Sequence, residues 1–397
     1  MQKQFDRVYA RVCLDRIEDN MRSMQKNLQP DTSMIGVIKA DGYGHGASAV
    51  AKAIDPYVVA YAVATVDEAA KLCEAGVQKA ILILGAVPKG RYAQCCKRGL
   101  RVPLFTMQQA RDMSRTAVVL KRNMIVHIAL DTGMGRIGLS PTMESARLVR
   151  EMADLPGLTI EGLFTHFARA DEADKGPARG QIQRFSDFLA MLRELGVNPP
   201  ICHCSNSAGI VDLPEANFNA VRAGITIYGL YPSDQVNRKA VPLSPAMELK
   251  SFITYIKTVP AGTEISYGGT FHAERETRVA TISAGYADGY PRGLSGKGDV
   301  LIRGKRARIL GRVCMDQFMV DVTEIPEAAE WDEVTLLGRD GNEEITMEEL
   351  SWRSGVFLYE LPCLIGARVP RVYYSHGKIV GDLTWKERLS LKGEPHF

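Results

Sequence analysis

Residues 33–46 read Ser33-Met-Ile-Gly-Val-Ile-Lys39-Ala-Asp-Gly-Tyr-Gly-His-Gly46, an apolar run that ends in a lysine and a glycine-rich loop. Seven more apolar, β-branched runs follow before residue 230, and most of the stretches between them have helical periodicity. The eight runs are Met34–Ile38, Val58–Val63, Ala80–Leu84, Val102–Phe105, Met124–Leu130, Thr159–Phe164, Ile201–His203 and Ala220–Arg222. Strands that alternate with helices indicate a parallel sheet, and eight such units close a barrel. We therefore predict an α/β fold with a (β/α)8 barrel of the TIM type over residues 10–240.

The pattern changes after about residue 240, where prolines mark a boundary and strand-like runs follow without intervening helices. These runs are Lys250–Val259, Arg278–Ile282, Val300–Ile302, Ala307–Leu310, Met319–Val322 and Glu333–Leu337. One helical segment, Glu348 to Trp352, follows a plausible cap at Thr346. We predict a mostly β C-terminal domain over residues 241–390. The opening segment Tyr9–Leu14 alternates like a strand, so we expect residues 1–10 and this segment to pair onto that domain.

Composition and charge narrow the class of protein. The chain has 397 residues, 46% of them hydrophobic, and 49 Lys and Arg against 46 Asp and Glu give a formal net charge of +3. No basic stripe stands out, which argues against nucleic-acid or membrane partners. Charges run through the first thirty residues, unlike a signal peptide, and no apolar run reaches the roughly 18–20 residues that cross a bilayer.

The eight cysteines are scattered and predict reduced thiols in a cytoplasmic protein. The segment Cys202-His203-Cys204 superficially resembles a metal site. On a strand, however, its members alternate between opposite faces, so we expect no metal there.

Polar residues collect where the predicted barrel strands end, and active sites of such barrels lie at those C-terminal ends. The residues concerned are Lys39, Asp131–Arg136, His166, Ser205–Ser207 and Arg222–Ile225. Taken singly, each has an ordinary explanation as a solvated lysine, a core histidine, a flexible loop or a salt bridge. Because the barrel brings all of them to one rim, we interpret them together as a site.

The residue types on this rim suit a phosphorylated cofactor. The loops after strands seven and eight form the usual phosphate site of such barrels, and here they offer the Ser207 hydroxyl and the N–H groups of Gly224 and Ile225. A lysine such as Lys39 across the barrel mouth suits a Schiff base with pyridoxal 5'-phosphate. Arg222 at the ring nitrogen could only donate a hydrogen bond, so it would keep that nitrogen unprotonated.

Motifs along the whole chain resemble those of bacterial alanine racemases. The matching blocks are Val37–Gly46, Asp131–Gly138, Phe164–Phe167, Asn206–Ala208, Val221–Ile225, Ile265–Gly268, Gly285–Arg292, Gly311–Gln317 and Tyr359–Cys363. Their order and spacing are more specific than any one block. The resemblance implies a barrel followed by a β domain, pyridoxal 5'-phosphate as cofactor, and interconversion of L-alanine and D-alanine for peptidoglycan.

The resemblance also implies a role for individual residues. Lys39 would carry the cofactor and act as a base on one face of the substrate, while Tyr267 from the second subunit of a head-to-tail homodimer would act on the other. Arg222 would contact the ring nitrogen, with His166 behind it. The remaining implied cofactor contacts are Tyr43, Asn206, Ser207, Gly224, Ile225 and Tyr359. The implied substrate contacts are Arg136, Met315, Asp316 and Tyr286, and the implied access path is lined by Tyr286, Arg292, Arg312 and Asp171.

One position departs from the family pattern. Many members carry a carbamylated lysine that supports the arginine matching Arg136, but this chain has Ala129 there. A carbamate cannot form on alanine. Either a bound anion takes that place, or Arg136 is oriented differently.

Other functions remain open at this point. A serine or broad-specificity racemase would use the same scaffold, although bulky Tyr267 and Tyr359 favour alanine, and a hydrophobic pocket rejects one added hydroxyl only about 10²-fold. A decarboxylase on a similar scaffold usually has an acid at the ring nitrogen, against Arg222. A non-catalytic cofactor-binding barrel would lack Tyr267 and Met315. A cofactor-free phosphosugar isomerase is the remaining alternative.

Overall fold

The computed structural model describes residues 7–383 and divides them into two compact units. The barrel unit comprises Arg16–Gly42 and Ala47–Pro245. The C-terminal unit comprises residues 7–15, Tyr43–Gly46 and residues 246–383.

The barrel unit contains eight parallel strands. They are β2 (Ser33–Val37), β3 (Ala60–Val63), β4 (Ala80–Ile83), β5 (Val102–Leu104), β6 (Met124–Ala129), β7 (Leu158–Phe164), β8 (Ile201–His203) and β9 (Ala220–Ala223). Their order in the sheet is β4-β3-β2-β9-β8-β7-β6-β5. Arg101, which precedes β5, accepts a hydrogen bond from Ile83 N–H and donates one to the Ile81 carbonyl, so β4 and β5 join and the sheet closes. The predicted (β/α)8 barrel is confirmed.

Helices connect these strands. They are α1 (Leu14–Lys26), α2 (Ala47–Ile54), α3 (Val66–Glu74), α4 (Tyr92–Arg98), α5 (Met107–Leu120), α6 (Met143–Ala153), α7 (Gly176–Glu194) and α8 (Ser207–Asp212). Threonine side chains cap α3, α5 and α6 by accepting the N–H of the third helical residue, which fixes where each helix begins. Within residues 7–383 no helix combines the length and the apolar character that crossing a membrane requires.

The C-terminal unit is mostly β, as predicted. Its strands are β1 (Tyr9–Cys13), β10 (Met247–Val259), β11 (Glu264–Ile265), β12 (Phe271–His272), β13 (Thr277–Ile282), β14 (Asp299–Ile302), β15 (Lys305–Leu310), β16 (Phe318–Asp321), β17 (Glu333–Asp340), β18 (Glu343–Ile345), β19 (Arg371–Ser375) and β20 (Lys378–Leu383). Ten of them form one sheet in the order β18-β17-β14-β15-β16-β13-β10-β1-β19-β20, and β10 also pairs with β17. Two short helices, α9 (Met347–Ser354) and α10 (Glu360–Leu364), complete the unit.

Strand β1 pairs antiparallel with β10 and parallel with β19, so the segment Tyr9–Leu14 belongs to the C-terminal unit as expected, although the predicted barrel range began at residue 10. The two units differ from the predicted division in two further respects. Tyr43–Gly46 also belongs to the C-terminal unit. The boundary falls at Pro245, five residues beyond the expected position. Residues 1–6 and 384–390, included in the predicted division, lie outside the described residues.

The chain makes a left-handed turn directly after Lys39. The φ values of this turn are 52° at Ala40, 53° at Asp41, 62° at Gly42 and 49° at Tyr43. Such positive values are unfavourable for the three residues that carry a side chain, Ala40, Asp41 and Tyr43. The carboxylate of Asp41 accepts the N–H of Ala47 at 2.9 Å and supports the turn. Strain of this kind persists only where surrounding contacts impose it, and it concentrates at functional sites.

Arg371 fixes the second half of this loop inside the C-terminal unit. Its buried guanidinium donates to the Gly44 carbonyl at 2.8 Å and to the carbonyls of Gly366, Val369 and Ile365 at 2.6–2.7 Å. Gly44 has a φ of 77°, and a Cβ on it would overlap the carbonyl oxygen of Pro362. Only glycine fits there.

This close approach predicts a difference between two glycine substitutions. Gly262 has a similar φ of 86° but open space around it, so Gly262→Ala incurs only the backbone strain. We expect Gly262→Ala to lower the free energy of unfolding by about 1 kcal/mol and Gly44→Ala by about 3 kcal/mol or more. Thermal unfolding followed by circular dichroism measures both, and equal losses would contradict the packing argument.

Candidate active site

Four cationic or ionisable side chains lie at the carboxyl ends of the barrel strands and interact through their charges. Lys39 follows β2, Arg136 follows β6, His166 follows β7 and Arg222 lies in β9. Burial, and then the positive charges of Arg222, Arg136 and Lys39, lower the pKa of His166 to about 3. His166 is therefore neutral at pH 7, and the rim around it carries an excess of positive charge that suits an anionic ligand.

Arg222 is the most extensively bonded of these residues. It is 3% exposed. One terminal nitrogen donates to Nδ1 of His203 at 2.7 Å and to the His203 carbonyl at 2.8 Å. The other donates to the carbonyls of Thr165 and Cys204 at 2.7 and 2.9 Å, with His166 Nδ1 at 3.3 Å. These contacts occupy both terminal nitrogens and leave the guanidinium little freedom to rotate.

The Nε–H group of Arg222 has no acceptor within the part of the chain that the structure describes. Burial, together with the charge of Arg136, lowers the pKa of Arg222 to about 10, which still leaves it charged at pH 7. The one remaining donor of a buried cation is therefore available for an acceptor that the chain itself does not supply.

The segments after β8 and β9 form a second part of the rim. Asn206 caps α8, because its side-chain oxygen accepts the N–H of Gly209 at 3.1 Å. The Ser207 hydroxyl accepts the Gly224 N–H at 3.0 Å and bonds the Thr226 hydroxyl at 2.9 Å. Ser207 opens α8 and Ile225 opens a 3-10 turn, and the first N–H groups of a helix have no partner within it. These donors suit a phosphate group.

Ala129 and Arg136, where the sequence departs from the family pattern, are not in similar surroundings. Ala129 is 1% exposed at the end of β6, whereas Arg136 is exposed and bonds no other described residue. Asp131 instead organises this loop by accepting the N–H groups of Gly133 and Gly135, both at 3.0 Å. Among residues 7–383, no side chain replaces the missing lysine as a hydrogen-bonding support for Arg136.

Two predicted substrate contacts, Tyr286 and Met315, lie together in the C-terminal unit. The N–H of Tyr286 donates to the Cys314 carbonyl at 3.1 Å, and the N–H of Ala287 donates to the Met315 carbonyl at 3.1 Å. Both side chains are exposed, at 42% and 53%. These two backbone bonds hold the two loops side by side.

Asp316, also expected to contact substrate, forms ion pairs with two arginines. Its carboxylate accepts from Arg368 at 2.7 Å and lies 3.7 Å from Arg7. Both arginines also bind the fully buried carboxylate of Asp288, at 2.7 Å each. The charge of Asp316 is thus already matched, and its position beside Met315 did not reveal this because Arg7 and Arg368 are remote in sequence.

The predicted tyrosines of the C-terminal unit differ in exposure. Tyr267 is 71% exposed on a short turn, and a Cβ on the neighbouring Gly268 would lie 3.3 Å from Nη1 of Arg312. Tyr43 is buried, and this burial raises the pKa of its phenol well above its usual range. Tyr359 is half-buried and stacks on Phe357 with ring centroids 5.2 Å apart. Tyr267 is therefore the phenol most available to another molecule.

The remaining access-path residues are partly or fully open to solvent. Arg292 is exposed, and Asp171 is half-buried with its carbonyl accepting from Ser233.

The structure adds one residue that sequence reasoning missed. His203 was considered only as a metal ligand, yet it is fully buried and its Nδ1 accepts from Arg222. The sequence signal for such a role was a histidine inside a buried strand that ends at the polar rim.

Comparison with known proteins identifies the family. The N-terminal domain model of alanine racemases matches residues 12–232, and the C-terminal domain model matches residues 246–373. The chain belongs to the alanine racemase family. An alanine racemase from Desulforamulus reducens is 42% identical over 367 residues, covering 92% of this chain and 98% of the relative. One from Methanococcus maripaludis is 39% identical over the same length.

Solved structures of the family agree in fold. Alanine racemase from Clostridium difficile has a TM-score of 0.93 and 37% identity, covering 96% of this chain and all of that one. The enzyme from Bacillus anthracis with bound L-Ala-P has a TM-score of 0.91 and 35% identity, covering 97% of this chain and 99% of that one. The chain is therefore a pyridoxal-phosphate-dependent amino-acid racemase.

The residues at the barrel rim fit the cofactor of this family. The Arg222 Nε–H suits an unprotonated ring nitrogen, and the backbone donors at Ser207 and Ile225 suit a phosphate. Lys39, at the end of β2, has an amine of the kind that such a cofactor binds. The positive charge around His166 would offset the charge of an anionic ligand.

The depressed pKa of His166 predicts a pH dependence of stability. Unfolded His166 binds a proton below its ordinary pKa of 6.5, whereas folded His166 does so only near 3, so the folded state loses stability as the pH falls through that interval. We expect His166→Gln to reduce the slope of unfolding free energy against pH, between about pH 4 and 6, by up to about 1.4 kcal/mol per pH unit.

Chemical denaturation at a series of pH values measures these slopes. Above about pH 7.5 His166 is neutral in both states, so the variant and the original chain should run parallel there, which serves as the control. Equal slopes at acid pH would show that His166 is not held neutral.

Proposed function

We propose that this chain interconverts L-alanine and D-alanine with pyridoxal 5'-phosphate held by Lys39. Lys39 and Tyr267 of a second copy of the chain would be the two acid–base groups. When bound, the cofactor supplies an electron sink that makes the Cα–H bond of the amino acid acidic. D-alanine for peptidoglycan would be the useful product.

The observation that carries the proposal is the remaining donor of Arg222. Its other contacts are made within the barrel, and its Nε–H is left for a ring nitrogen that must accept. An arginine cannot give up its proton near neutral pH, so the ring nitrogen stays unprotonated. A weaker electron sink favours rapid return of the proton to Cα, which is what a racemase needs and a transaminase does not.

Charged and polar groups of the rim would bind the two ends of the ligands. Ser207 and Ile225 would donate to the phosphate, and the same role remains proposed for Asn206, Tyr43 and Tyr359. It remains proposed for Gly224 as well, whose N–H donates to the Ser207 hydroxyl at 3.0 Å and would have to turn to the phosphate. Arg136 and the backbone N–H of Met315 would meet the substrate carboxylate. The substrate contact of Asp316 also remains proposed; its carboxylate accepts from Arg368 and its side chain is 55% exposed.

Two proton-transfer groups are needed because racemisation removes a proton from one side of Cα and returns one to the other. A single fixed base would return the proton to the side from which it came. Lys39 would act on one face and Tyr267 on the opposite face. The exposure of Tyr267 is consistent with its acting on a second copy of the chain, which implies a head-to-tail homodimer.

We propose alanine over serine as the main substrate, because bulky phenols at Tyr267 and Tyr359 would leave room for a methyl group. All eight cysteines lie among the described residues, and none of them forms a disulfide there. Cysteines without disulfides are typical of a reducing compartment, so we also propose that the enzyme works in the cytoplasm.

The primary test is to locate the cofactor and measure racemisation together. The purified chain should be yellow, and borohydride should bleach it and fix the cofactor to Lys39. Chiral chromatography should show D-alanine formed from L-alanine.

We expect Lys39→Arg to lower the rate of racemisation by at least about 10²-fold, the contribution of one general base. Lys52→Arg changes an exposed lysine nearby and should leave the rate unchanged. Label on another residue, or full activity of Lys39→Arg, would refute the proposal.

Tyr267→Phe tests the two-base assignment. Without the phenol, racemisation should fall by at least about 10²-fold in both directions. In D2O one enantiomer should still exchange its Cα hydrogen through Lys39 with its chirality kept, and the other should not. Tyr255→Phe, at a tyrosine 53% exposed in the same unit, is the matched control. If both enantiomers still exchange at the original rate, Tyr267 is not the second base.

A further inference from the structure

A line of buried polar side chains extends from Arg222 into the barrel interior. Nε2 of His203 lies 2.9 Å from Nδ1 of His127, and Nε2 of His127 lies 3.1 Å from Oε2 of Glu161. Glu161 accepts two hydrogen bonds of 2.9 Å from Arg101. The two histidines are 0% and 2% exposed, so water does not compete for these contacts.

The two ends of this line specify the same direction of hydrogen bonding. Arg222 can only donate, so His203 accepts at Nδ1 and carries its proton on Nε2. His203 then donates to Nδ1 of His127, which leaves the His127 proton on Nε2, facing Glu161. Hydrogen bonds from His127 and Arg101 lower the pKa of Glu161 to about 2, so its carboxylate is charged and only accepts.

The reverse direction would place two donors against each other. If His127 donated to His203, the His203 proton would lie on Nδ1, facing the N–H of Arg222 across 2.7 Å. Arg222 would lose its only side-chain contact shorter than 3 Å among the described residues. Its guanidinium would then be held mainly by the backbone carbonyls of His203, Thr165 and Cys204, and the direction of its Nε–H would be less tightly restrained.

The backbone is shaped to make this line possible. Val126 pairs with Ile160, but His127 pairs with Gly162, so Glu161 is the extra residue of a β-bulge in β7. Bulges redirect a side chain near active sites. A Cβ on Gly162 would lie 2.6 Å from Cε1 and 2.8 Å from Cγ of His127, so the absence of a side chain there makes room for the imidazole.

We propose that His127 and Glu161 are positioning residues for Arg222. The Glu161 carboxylate, fixed by Arg101, holds both histidines in the tautomer that accepts from Arg222 and thereby keeps the Arg222 Nε–H directed at the ring nitrogen. This inference rests on the proposed function. His127 and Glu161, which would not contact the cofactor, would thereby help to suppress transamination. In that side reaction the amino group of alanine moves to the cofactor and pyruvate leaves.

The test compares two substitutions of His127 in the cofactor-loaded enzyme. His127→Leu removes the acceptor facing His203, whereas His127→Gln keeps an amide oxygen for His203 and an amide N–H for Glu161. We expect His127→Leu to raise the ratio of pyruvate release to racemisation by about tenfold or more, and His127→Gln to stay within about twofold of the original. Arg222→Glu, which removes the donor itself, marks the upper limit of that ratio.

Nitrogen-15 spectra of histidine-labelled protein give a readout independent of activity. His127 and His203 should both carry their proton on Nε2, and Glu161→Gln should weaken that preference. Asp112→Asn, at a buried carboxylate on α5 that pairs with Lys89 and Arg115, controls for the loss of a buried charge and should change neither measurement. If His127→Leu does not fold, Glu161→Gln is measured for the ratio as well.

The outcomes separate the two proposals. A proton on Nδ1 of either histidine in the original enzyme, or an unchanged ratio in an active His127→Leu, would overturn the positioning role and leave the racemase assignment intact. An original enzyme without cofactor or racemisation would refute the proposed function instead.

Discussion

The burial of one guanidinium constrains the whole barrel rim. Arg222 cannot lose its charge near neutral pH, and taking it out of water requires acceptors for its donors. The carbonyls of Thr165, His203 and Cys204, at the ends of two neighbouring strands, provide most of them. Burial, and then the charge of Arg222, lowers the pKa of both His166 and His203 and keeps these imidazoles neutral. Arg136 and Lys39 add to this effect at His166.

The loop after Lys39 combines two different constraints in a few residues. Lys39 itself belongs to the barrel unit, but Tyr43–Gly46 belongs to the C-terminal unit, where Arg371 binds the Gly44 carbonyl. The left-handed turn between them is strained at non-glycine positions. Strain of this kind persists only where surrounding contacts impose it.

Much of the fold could be predicted because it rests on local patterns. All eight barrel runs were found within two residues of the observed strand ends, since each is short, apolar and bounded by turn residues. Strands β19 and β20 were missed, and so was α10, because their sequences lack a clear period. The apolar runs placed the rim residues Lys39 and Arg222 at strand ends, but the sequence did not reveal the ion pairs of Asp316 with Arg368 and Arg7, because those arginines are remote in sequence.

Periodicity and turn chemistry are local properties of the chain, so the barrel, the β domain after it and the residue types at the strand ends can be predicted from the amino-acid sequence. Folding adds what no local pattern contains: Glu161 is a bulged residue, Gly162 makes room for His127, and both histidines connect to Arg222. These features depend on strand register. Which residue faces the barrel interior depends on how neighbouring strands align, and those strands are separated by dozens of residues.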